Sequence, residues 1–285
     1  MTDLRFGMAP DQNLPFEELL KRWRYYESLG LDSLWVCDHF NQPSRPTGPY
    51  FESWTTLAGL AAGTERGRIG VLVSSNTFRH PALLAQEAIT VDHISNGRLD
   101  VGIGAGWFVD EHQRFGIALP APGERVGRFD EAVQIIDALL CNESTTFDGR
   151  YYQLTDASLK PRPIQIPRPP LTLAGHKRRM LGICARYADC WNSIGSSDEI
   201  ADRNHILDEQ CARIGRDPGE IRRGIFAWAS QLTNFELPDP WESQSAFEDV
   251  VARYQHVGVT DFILDQPTPA QFPTLEKIAR DVLAH

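Results

Sequence analysis

The sequence of 285 residues lacks the features that mark several common protein classes. Its five cysteines are scattered and form no CxxC pair, so we predict neither a zinc site nor a full disulfide framework. No stretch approaches 18 consecutive apolar residues, which excludes a membrane-spanning helix. The 28 Lys and Arg residues against 38 Asp and Glu give a net charge of −10, so the chain is a poor general binder of nucleic acid or of anionic membrane.

Several catalytic signatures are also missing. The chain has no HExxH metal motif, no GxxxxGK[ST] phosphate loop and no G-x-S-x-G nucleophile elbow. Its first residues lead directly into a short apolar run without the h-region of a signal peptide, so we predict a cytoplasmic protein. Most paired carboxylates are typical of a solvated surface. Glu111 is the exception, because it follows the loop after the fourth predicted strand.

Strand and helix patterns alternate along the whole chain. Apolar strands are predicted at 4–8, 33–37, 68–73, 98–103, 171–174, 190–194, 224–233 and 260–264. Helical spacing is predicted at 15–29, 52–62, 81–94, 125–140, 176–187, 198–214, 241–256 and 272–283. A β-hairpin insertion is predicted at 145–159, before the fifth strand. Eight strand–helix units without a separating linker predict a single α/β domain, 1–285, folded as a (β/α)8 TIM barrel.

In such a barrel, polar residues at the carboxyl ends of strands indicate the active site. The second strand ends in Asp38 and His39, where a carboxylate beside an imidazole suits proton transfer; a simple loop hydrogen bond is the alternative. The third strand runs from Leu72 and Val73 into Ser74 and a segment ending at Asn76. This small polar run suits a heteroaromatic or carbonyl ligand, or is an ordinary polar turn.

The fourth strand ends in Gly104, Ala105 and Gly106. Two glycines let the backbone approach a ligand closely. The same GxG is only half of the dinucleotide fingerprint GxGxxG. Phe108 and Val109 follow where the fingerprint continues, so a Rossmann interpretation fails.

The fifth strand leads through Gly175 into His176, Lys177 and Arg178 at the start of a helix. Backbone N–H groups and the helix dipole favour an anion there, and a basic cluster strengthens that tendency. A solvated basic face is the alternative. Ser193, after the sixth strand, is a further candidate for the same anion, or part of the start of the next helix. Together these features predict a phosphate-bearing cofactor over the barrel mouth.

Several motifs resemble those of the luciferase-like monooxygenase superfamily. They are GLDSLWVCDHF at 30–40, HPALLAQ at 80–86, DHISNGRL at 92–99, GIGAGW at 102–107, FDGRYY at 147–152 and YADCWN at 187–192. They span nearly the whole chain and occur in the family's order. The resemblance implies a barrel with an insertion, a homodimer, and FMN or the deazaflavin coenzyme F420 as cofactor.

The sequence Asp-His-Phe after the second strand looks like the F420-dependent branch, since flavin-dependent members more often carry Glu-His-His there. The resemblance therefore implies an oxidoreductase that transfers hydride at C5 of F420. An FMN-dependent monooxygenase is the alternative. A second alternative is a non-catalytic flavin- or F420-binding protein of the same fold.

Carried over to this sequence, the resemblance places His39, oriented by Asp38, at the reactive face of the deazaflavin. It implies a non-proline cis peptide bond at or beside 72–73, supporting the ring. The implied cofactor-binding residues are Leu72, Val73, Ser74, Asn76, Gly104, Ala105, Gly106, Gly175, His176, Lys177, Arg178 and Ser193.

The expected substrate is a small apolar molecule. The glucose-6-phosphate dehydrogenase branch has a glutamate after the GxG, and this sequence has Trp107 there. The departure argues against a sugar phosphate and favours an aromatic-walled site lined by Phe40, Trp107, Phe108 and Trp228, with Trp241 a further candidate. Loops at 41–50, 107–124 and 231–241 are expected to shape it. The apolar helix faces at 52–62 and 81–94 are candidate dimer contacts.

Overall fold

Parallel strands close into a barrel in the computed structural model, which describes residues 4–43 and 47–283. The strands are β1 Arg5–Ala9, β2 Ser33–Val36, β3 Arg68–Val71, β4 Ser74–Ser75, β5 Leu99–Gly104, β6 Thr145–Asp148, β7 Gln153–Ala157, β8 Leu171–Ala174, β9 Cys190–Ser193, β10 Arg222–Ala227 and β11 Asp261–Asp265. The helices are α1 Phe16–Ser28, α2 Ser53–Gly63, α3 Pro81–Ile94, α4 Val109–Phe115, α5 Pro122–Cys141, α6 Arg178–Tyr187, α7 Ser197–Ile214, α8 Ala229–Asn234, α9 Gln244–His256 and α10 Phe272–Ile278.

The strand order confirms the predicted (β/α)8 barrel. The sheet runs β3-β2-β1-β11-β10-β9-β8-β5-β4, every pairing in it is parallel, and a β3–β5 pairing closes the ring. Since β3 and β4 form one interrupted strand, the described residues contain eight barrel strands. The predicted hairpin insertion is present as the antiparallel pair β6–β7 before β8.

Alternating side chains divide the barrel wall into two faces. Ile69 and Val71 of β3 lie in the layer beneath the helices, together with most of the buried apolar residues. The interior face carries glycines where bulky groups must fit. A Cβ on Gly70 would lie 2.5 Å from the Trp35 ring, and one on Gly102 would lie 1.9 Å from the Val71 carbonyl oxygen. The large Trp35 ring therefore fills space that glycines leave open.

The amino-terminal end of the barrel is closed by paired charges. Arg68 donates to both carboxylate oxygens of Asp100, at 2.9 and 2.7 Å, and Arg222 donates to Asp261 at 2.7 Å. These groups line a cavity of about 310 Å³ at this end. Of the five acids and three arginines that line it within the described residues, Asp100 and Asp261 are paired with Arg68 and Arg222. The carboxyl-terminal end of the strands lies opposite and forms the mouth.

Several predicted boundaries differ from the structure. The predicted third strand is broken after Val71, and the expected cis peptide bond is present between Leu72 and Val73. The predicted strand 224–233 is wrong in its second half, which forms helix α8, and the predicted loop 107–124 contains helix α4. In both places a short helix follows the end of a strand at the mouth. Each helix is too short for its apolar periodicity to be recognised in the sequence.

The ends of the predicted domain at 1–3 and 284–285, and positions 44–46 of the loop 41–50, lie outside the described residues. Across the rest of the chain, no helix has the length and apolar character needed to cross a membrane. Within the same residues, no three His, Cys, Asp or Glu side chains are grouped to hold a metal ion.

We expect Gly102→Ala to cost about 3 kcal/mol of unfolding free energy or more, because the added Cβ collides with backbone that cannot move aside. The control is Gly123→Ala in the first turn of α5, where a Cβ meets nothing within 4 Å and should be neutral or stabilising by up to about 1 kcal/mol. Urea denaturation measures both. Equal stabilities for the two variants would contradict the interior packing described above.

Candidate active site

The candidate site lies at the carboxyl-terminal mouth of the barrel, and His39 is held there by a buried carboxylate. The His39 Nδ1 atom lies 2.9 Å from Glu111 Oε2, while Glu111 Oε1 accepts the Phe40 N–H at 2.5 Å. Since a carboxylate only accepts hydrogen bonds, Nδ1 carries the proton and Nε2 is the nitrogen left to face a ligand.

Glu111 is suited to this task by its surroundings. Its side chain is only 3% exposed. Burial alone would raise its pKa, but the hydrogen bond and charge of His39 and the backbone N–H groups of Phe40 and Asn41 outweigh it and hold the pKa of Glu111 below its ordinary value. The carboxylate therefore stays ionised and fixes the imidazole orientation. We expected Asp38 to make this contact, and the structure assigns it to Glu111.

Asp38 instead anchors the loops around the mouth. Its two oxygens accept from Arg79 at 2.6 and 3.1 Å, and they also accept from the Ser53 hydroxyl at 2.6 Å and the Ser75 N–H at 2.8 Å. Arg79 reaches Glu52 as well. Successive side chains of an extended segment point to opposite sides, so Asp38 turns into the wall while His39 turns toward the mouth.

The segment after β3 supplies one open polar atom and several occupied ones. Ser74 is fully buried, and its hydroxyl accepts from Trp54 Nε1 at 3.0 Å, so it does not face the mouth as predicted. Asn76 donates its N–H to the Gly104 carbonyl, while its side-chain Oδ1 is buried with no hydrogen-bond partner. An unpaired buried acceptor costs free energy unless a ligand or water satisfies it.

Gly104, which ends β5, and Gly106, two residues later, shape a cradle beside Asn76. A Cβ on Gly104 would lie 2.7 Å from Val73, and one on Gly106 would lie 2.9 Å from the Ser75 hydroxyl. Gly106 also has φ of +86°, a conformation that glycine adopts most easily. Side chains at these two positions would collide with their neighbours, Gly104 is buried, and Ala105 and Gly106 are half-buried. The close approach of a ligand to this backbone stays a prediction.

A hydrogen-bonded chain that the sequence analysis missed supports this cradle. The Ser75 hydroxyl lies 2.7 Å from Thr77 Oγ1, which lies 2.7 Å from His112 Nε2. His112 Nδ1 donates to the Phe108 carbonyl at 2.7 Å. His112 is buried, and the chain ties the third-strand loop to α4. No familiar motif marks these residues.

The residues of the predicted anion site lie together at the start of α6. His176, Lys177 and Arg178 are exposed, and Lys177 is the residue that precedes the first turn of the helix. His176 Nδ1 lies 2.9 Å from the Ser193 hydroxyl, which also accepts from Arg203. Loss of hydration and the Arg203 charge lower the pKa of His176.

Two of the predicted anion ligands have other partners. Ser193 is only 1% exposed, so it supports His176 from below and does not meet a ligand directly. Arg178 forms an ion pair with Glu209 at 2.9 Å. Gly175 precedes the cluster, and a Cβ there would lie 2.7 Å from Met180. In the part of the chain that the structure describes, Lys177 has no ion-pair partner, and Arg179 donates only to the Gly123 carbonyl, so both are available cations.

Aromatic rings form one wall of the mouth. His39 meets Trp107 and Phe108 edge to face, with ring centroids 6.1 and 6.0 Å apart. Phe40 stacks on Phe115 at 4.3 Å. Trp107 is 64% exposed, so most of its ring surface is accessible at the mouth.

The other predicted tryptophans differ from each other. Trp228 is half-buried after β10 and packs on Phe226 with centroids 5.2 Å apart. Trp241 is 2% exposed, donates to the Asp265 carbonyl and stacks on Phe247, so it belongs to the core and not to a substrate site. Asp265 itself, the last residue of β11, was missed. The rule that polar residues at strand ends mark the site would have found it.

Comparisons with known proteins bear on this site. A family model described as luciferase-like monooxygenase matches residues 1–231. An F420-dependent glucose-6-phosphate dehydrogenase of Intrasporangium calvum is 36% identical over 311 aligned positions, covering 90% of this chain and 91% of that protein. A protein of the same name from Amycolatopsis mediterranei is 39% identical over 166 residues, 57% of this chain and 47% of that protein. That match spans about half the relative's length.

A solved structure shares the fold. An F420-dependent secondary alcohol dehydrogenase in complex with an F420-acetone adduct superposes with a TM-score of 0.84, covering 98% of each chain at 18% identity. At that identity the likeness concerns the barrel and its insertion. It agrees with the fold derived above from strand order and register.

We expect the Glu111→Gln variant to lose less unfolding free energy than the wild type as the pH falls. A carboxylate whose pKa is lowered on folding stabilises the protein above its unfolded pKa, and this contribution disappears as pH falls through the folded pKa. Below about pH 4.5 the wild type should therefore lose more unfolding free energy than Glu111→Gln. Thermal unfolding from pH 6 to pH 3 measures this. Asp110→Asn, an exposed neighbour on α4, is the control. Parallel wild-type and Glu111→Gln curves would contradict the assignment.

Proposed function

This chain belongs to the luciferase-like monooxygenase family, and we propose that it is a coenzyme F420-dependent oxidoreductase. In this proposal hydride passes between the cofactor and a small apolar organic substrate. When bound, F420 supplies a hydride donor or acceptor at C5 of its deazaflavin ring. The observation that carries the proposal is the His39–Glu111 pair, which leaves one imidazole nitrogen open at the mouth between aromatic edges.

The residues present fit such a cofactor. The buried, unpaired Oδ1 of Asn76 suits the N–H of a pyrimidinedione edge, and the cradle of Gly104, Ala105 and Gly106 offers a flat ring close access to backbone. Leu72 and Val73, at the break in the third strand, complete that side of the mouth. The names of relatives and of the superposed structure support F420 over FMN.

The anionic tail of the cofactor would lie at the start of α6. Lys177 offers an unpaired charge, His176 an imidazole seated on Ser193, and the helix its free N–H groups. Gly175 leaves room for Met180, whose side chain packs directly against it. Arg178 would contribute from its solvent-exposed ion pair with Glu209, a kind of pair that contributes little to stability.

His39 would handle the proton that accompanies hydride transfer. Its Nε2 would donate a proton to the substrate oxygen or carbon, or accept one, while Glu111 keeps Nδ1 protonated and stabilises the imidazolium form. Asp38 acts at a distance from this step. It holds Arg79 and the Ser75 backbone, and so it fixes the loops on which His39 and the cradle depend.

The substrate wall is apolar. Trp107, Phe108 and Phe40 present ring faces and edges beside His39, and Trp228 lies on the side of β10. Rings of this kind bind apolar carbon better than a hydrated sugar phosphate. We therefore propose a substrate more apolar than glucose 6-phosphate, although relatives carry the name of that dehydrogenase.

A homodimer in the cytoplasm is part of the proposal. Leu83 and Ile94 are exposed large apolar residues on α3, and Phe51 lies exposed just before α2. Their burial against a second copy would remove an apolar surface from water. Sedimentation velocity tests this. The wild type should be a dimer, and Leu83→Glu should dissociate more readily, because it places a charge in the proposed contact.

The activity is tested by following F420 absorbance with secondary alcohols of increasing length, or with the matching ketones and reduced cofactor. We expect turnover that improves with apolar size and little or none with glucose 6-phosphate. His39→Gln should lower turnover about a hundredfold or more, because a general acid–base group is lost, while F420 affinity changes little.

His205→Gln, an exposed histidine on α7, is the matched control and should behave as wild type. Wild-type turnover by His39→Gln would reject the proton-transfer role. Efficient oxidation of glucose 6-phosphate would reject the apolar substrate, and oxygen uptake with bound FMN would reject the F420 assignment.

A further inference from the structure

Asp265 stands out because it is a partly buried acid without a cation. Its Oδ1 accepts the Ala229 N–H at 3.0 Å, and no Arg, Lys or His within the described ranges forms an ion pair with it. Other buried acids are better satisfied. Asp92 and Glu27, for which the described residues also show no ion pair, each accept three or more N–H bonds. Asp38, Asp100 and Asp261 each contact an arginine at 2.6 to 2.7 Å. An unpaired carboxyl in such a place costs stability, so its presence needs a reason.

The barrel register places Asp265 at the mouth. It is the last residue of β11, and alternation with Ile263, which packs on Trp35 and Leu72 inside the barrel, turns its side chain to the interior face. Asp265 pairs with Ala9 at the end of β1, and β1 lies beside β2, the strand that leads to His39. Continuing this register, Ala9 is level with Trp35, so Asp265 lies two strand spacings, about 10 Å, from Trp35, and His39 follows four residues further along the chain toward the mouth.

The surroundings of Asp265 carry little positive charge. Burial raises the pKa of Asp265 to about 7; the Ala229 N–H works against that shift and the Asp239 charge adds to it. Asp239 accepts from Trp241 N and Gln271, and Arg22 on α1 is engaged with the side chain of Gln266. The Asp265 carboxyl can therefore accept a further hydrogen bond from a donor group on a ligand.

We propose that Asp265 sets the charge selectivity of the substrate site. Its unpaired carboxyl favours substrates that carry a hydrogen-bond donor, a hydroxyl or a protonated amine, and disfavours anionic substrates such as phosphate esters. The inference rests on the proposed function in one respect, that the substrate binds at this mouth. Asp265 is a specificity residue, and His39 remains the proton-transfer group.

The test uses three probes that share the same cyclohexane ring and differ in the polar group: cyclohexylamine, cyclohexanol and cyclohexanecarboxylate. Binding to F420-saturated protein is followed by tryptophan fluorescence, since Trp228 directly follows the neighbouring strand β10. At pH 8 we expect the amine to bind about tenfold tighter than the carboxylate, and the ratio to shrink at pH 6, where Asp265 is mostly protonated. Asp265→Asn should bring the ratio near one at both pH values.

Asp265→Asn keeps an oxygen for the Ala229 N–H, so the start of α8 is preserved and a purely structural role would leave the ratio unchanged. Asp239→Asn is the control: it should keep the preference and move its midpoint to lower pH, because a like charge is removed. A pH-dependent preference that survives in Asp265→Asn would overturn the proposal, and so would failure of all three probes to bind wild type. The same probes are also titrated without F420. Probe binding in that series tests Asp265 even if the cofactor assignment is wrong.

Discussion

A buried ion pair between Asp38 and Arg79 is the interaction on which the barrel mouth depends. One carboxylate receives two bonds from the guanidinium, one from the Ser53 hydroxyl at the start of α2 and one from the Ser75 N–H of β4. Three loops are thereby fixed relative to one another. Removing one partner of such a buried pair leaves an uncompensated charge, which typically costs about 3–5 kcal/mol. The pair therefore holds the loops in place, so that His39 can keep a nitrogen free for a ligand.

The neighbouring residues 38 and 39 show how the chain separates support from chemistry. Asp38 faces the wall and is saturated with donors, whereas His39 faces the mouth and keeps one nitrogen free. Glu111 comes from α4, more than seventy residues away, to orient that ring. The mouth then offers three environments side by side: a polar cradle at Gly104, a cation at Lys177 and an aromatic wall at Trp107. A ring with an anionic tail and an apolar reaction partner matches that division.

The sequence was sufficient for the fold because the alternation of strands and helices is a local signal repeated eight times. It also located the cis bond at Leu72–Val73 through family resemblance, and it placed His39 at the mouth. It assigned the wrong partner to His39, since adjacency in sequence suggested Asp38. The contact with Glu111 is a tertiary one. Ser74 and Ser193 were wrongly predicted to face the ligand for a related reason. Side chains near a strand end point alternately to the mouth and to the core, and the sequence does not show which of the two a small polar residue faces.

The central claim is that this mouth binds F420. Calorimetric titration of the purified protein with F420 and, separately, with FMN tests it most directly, because both ligands carry a tricyclic ring and a phosphate and differ in the ring and the length of the tail. We predict micromolar binding of F420 that is about tenfold tighter than FMN or better. Tight binding of FMN with no measurable binding of F420 would contradict the claim.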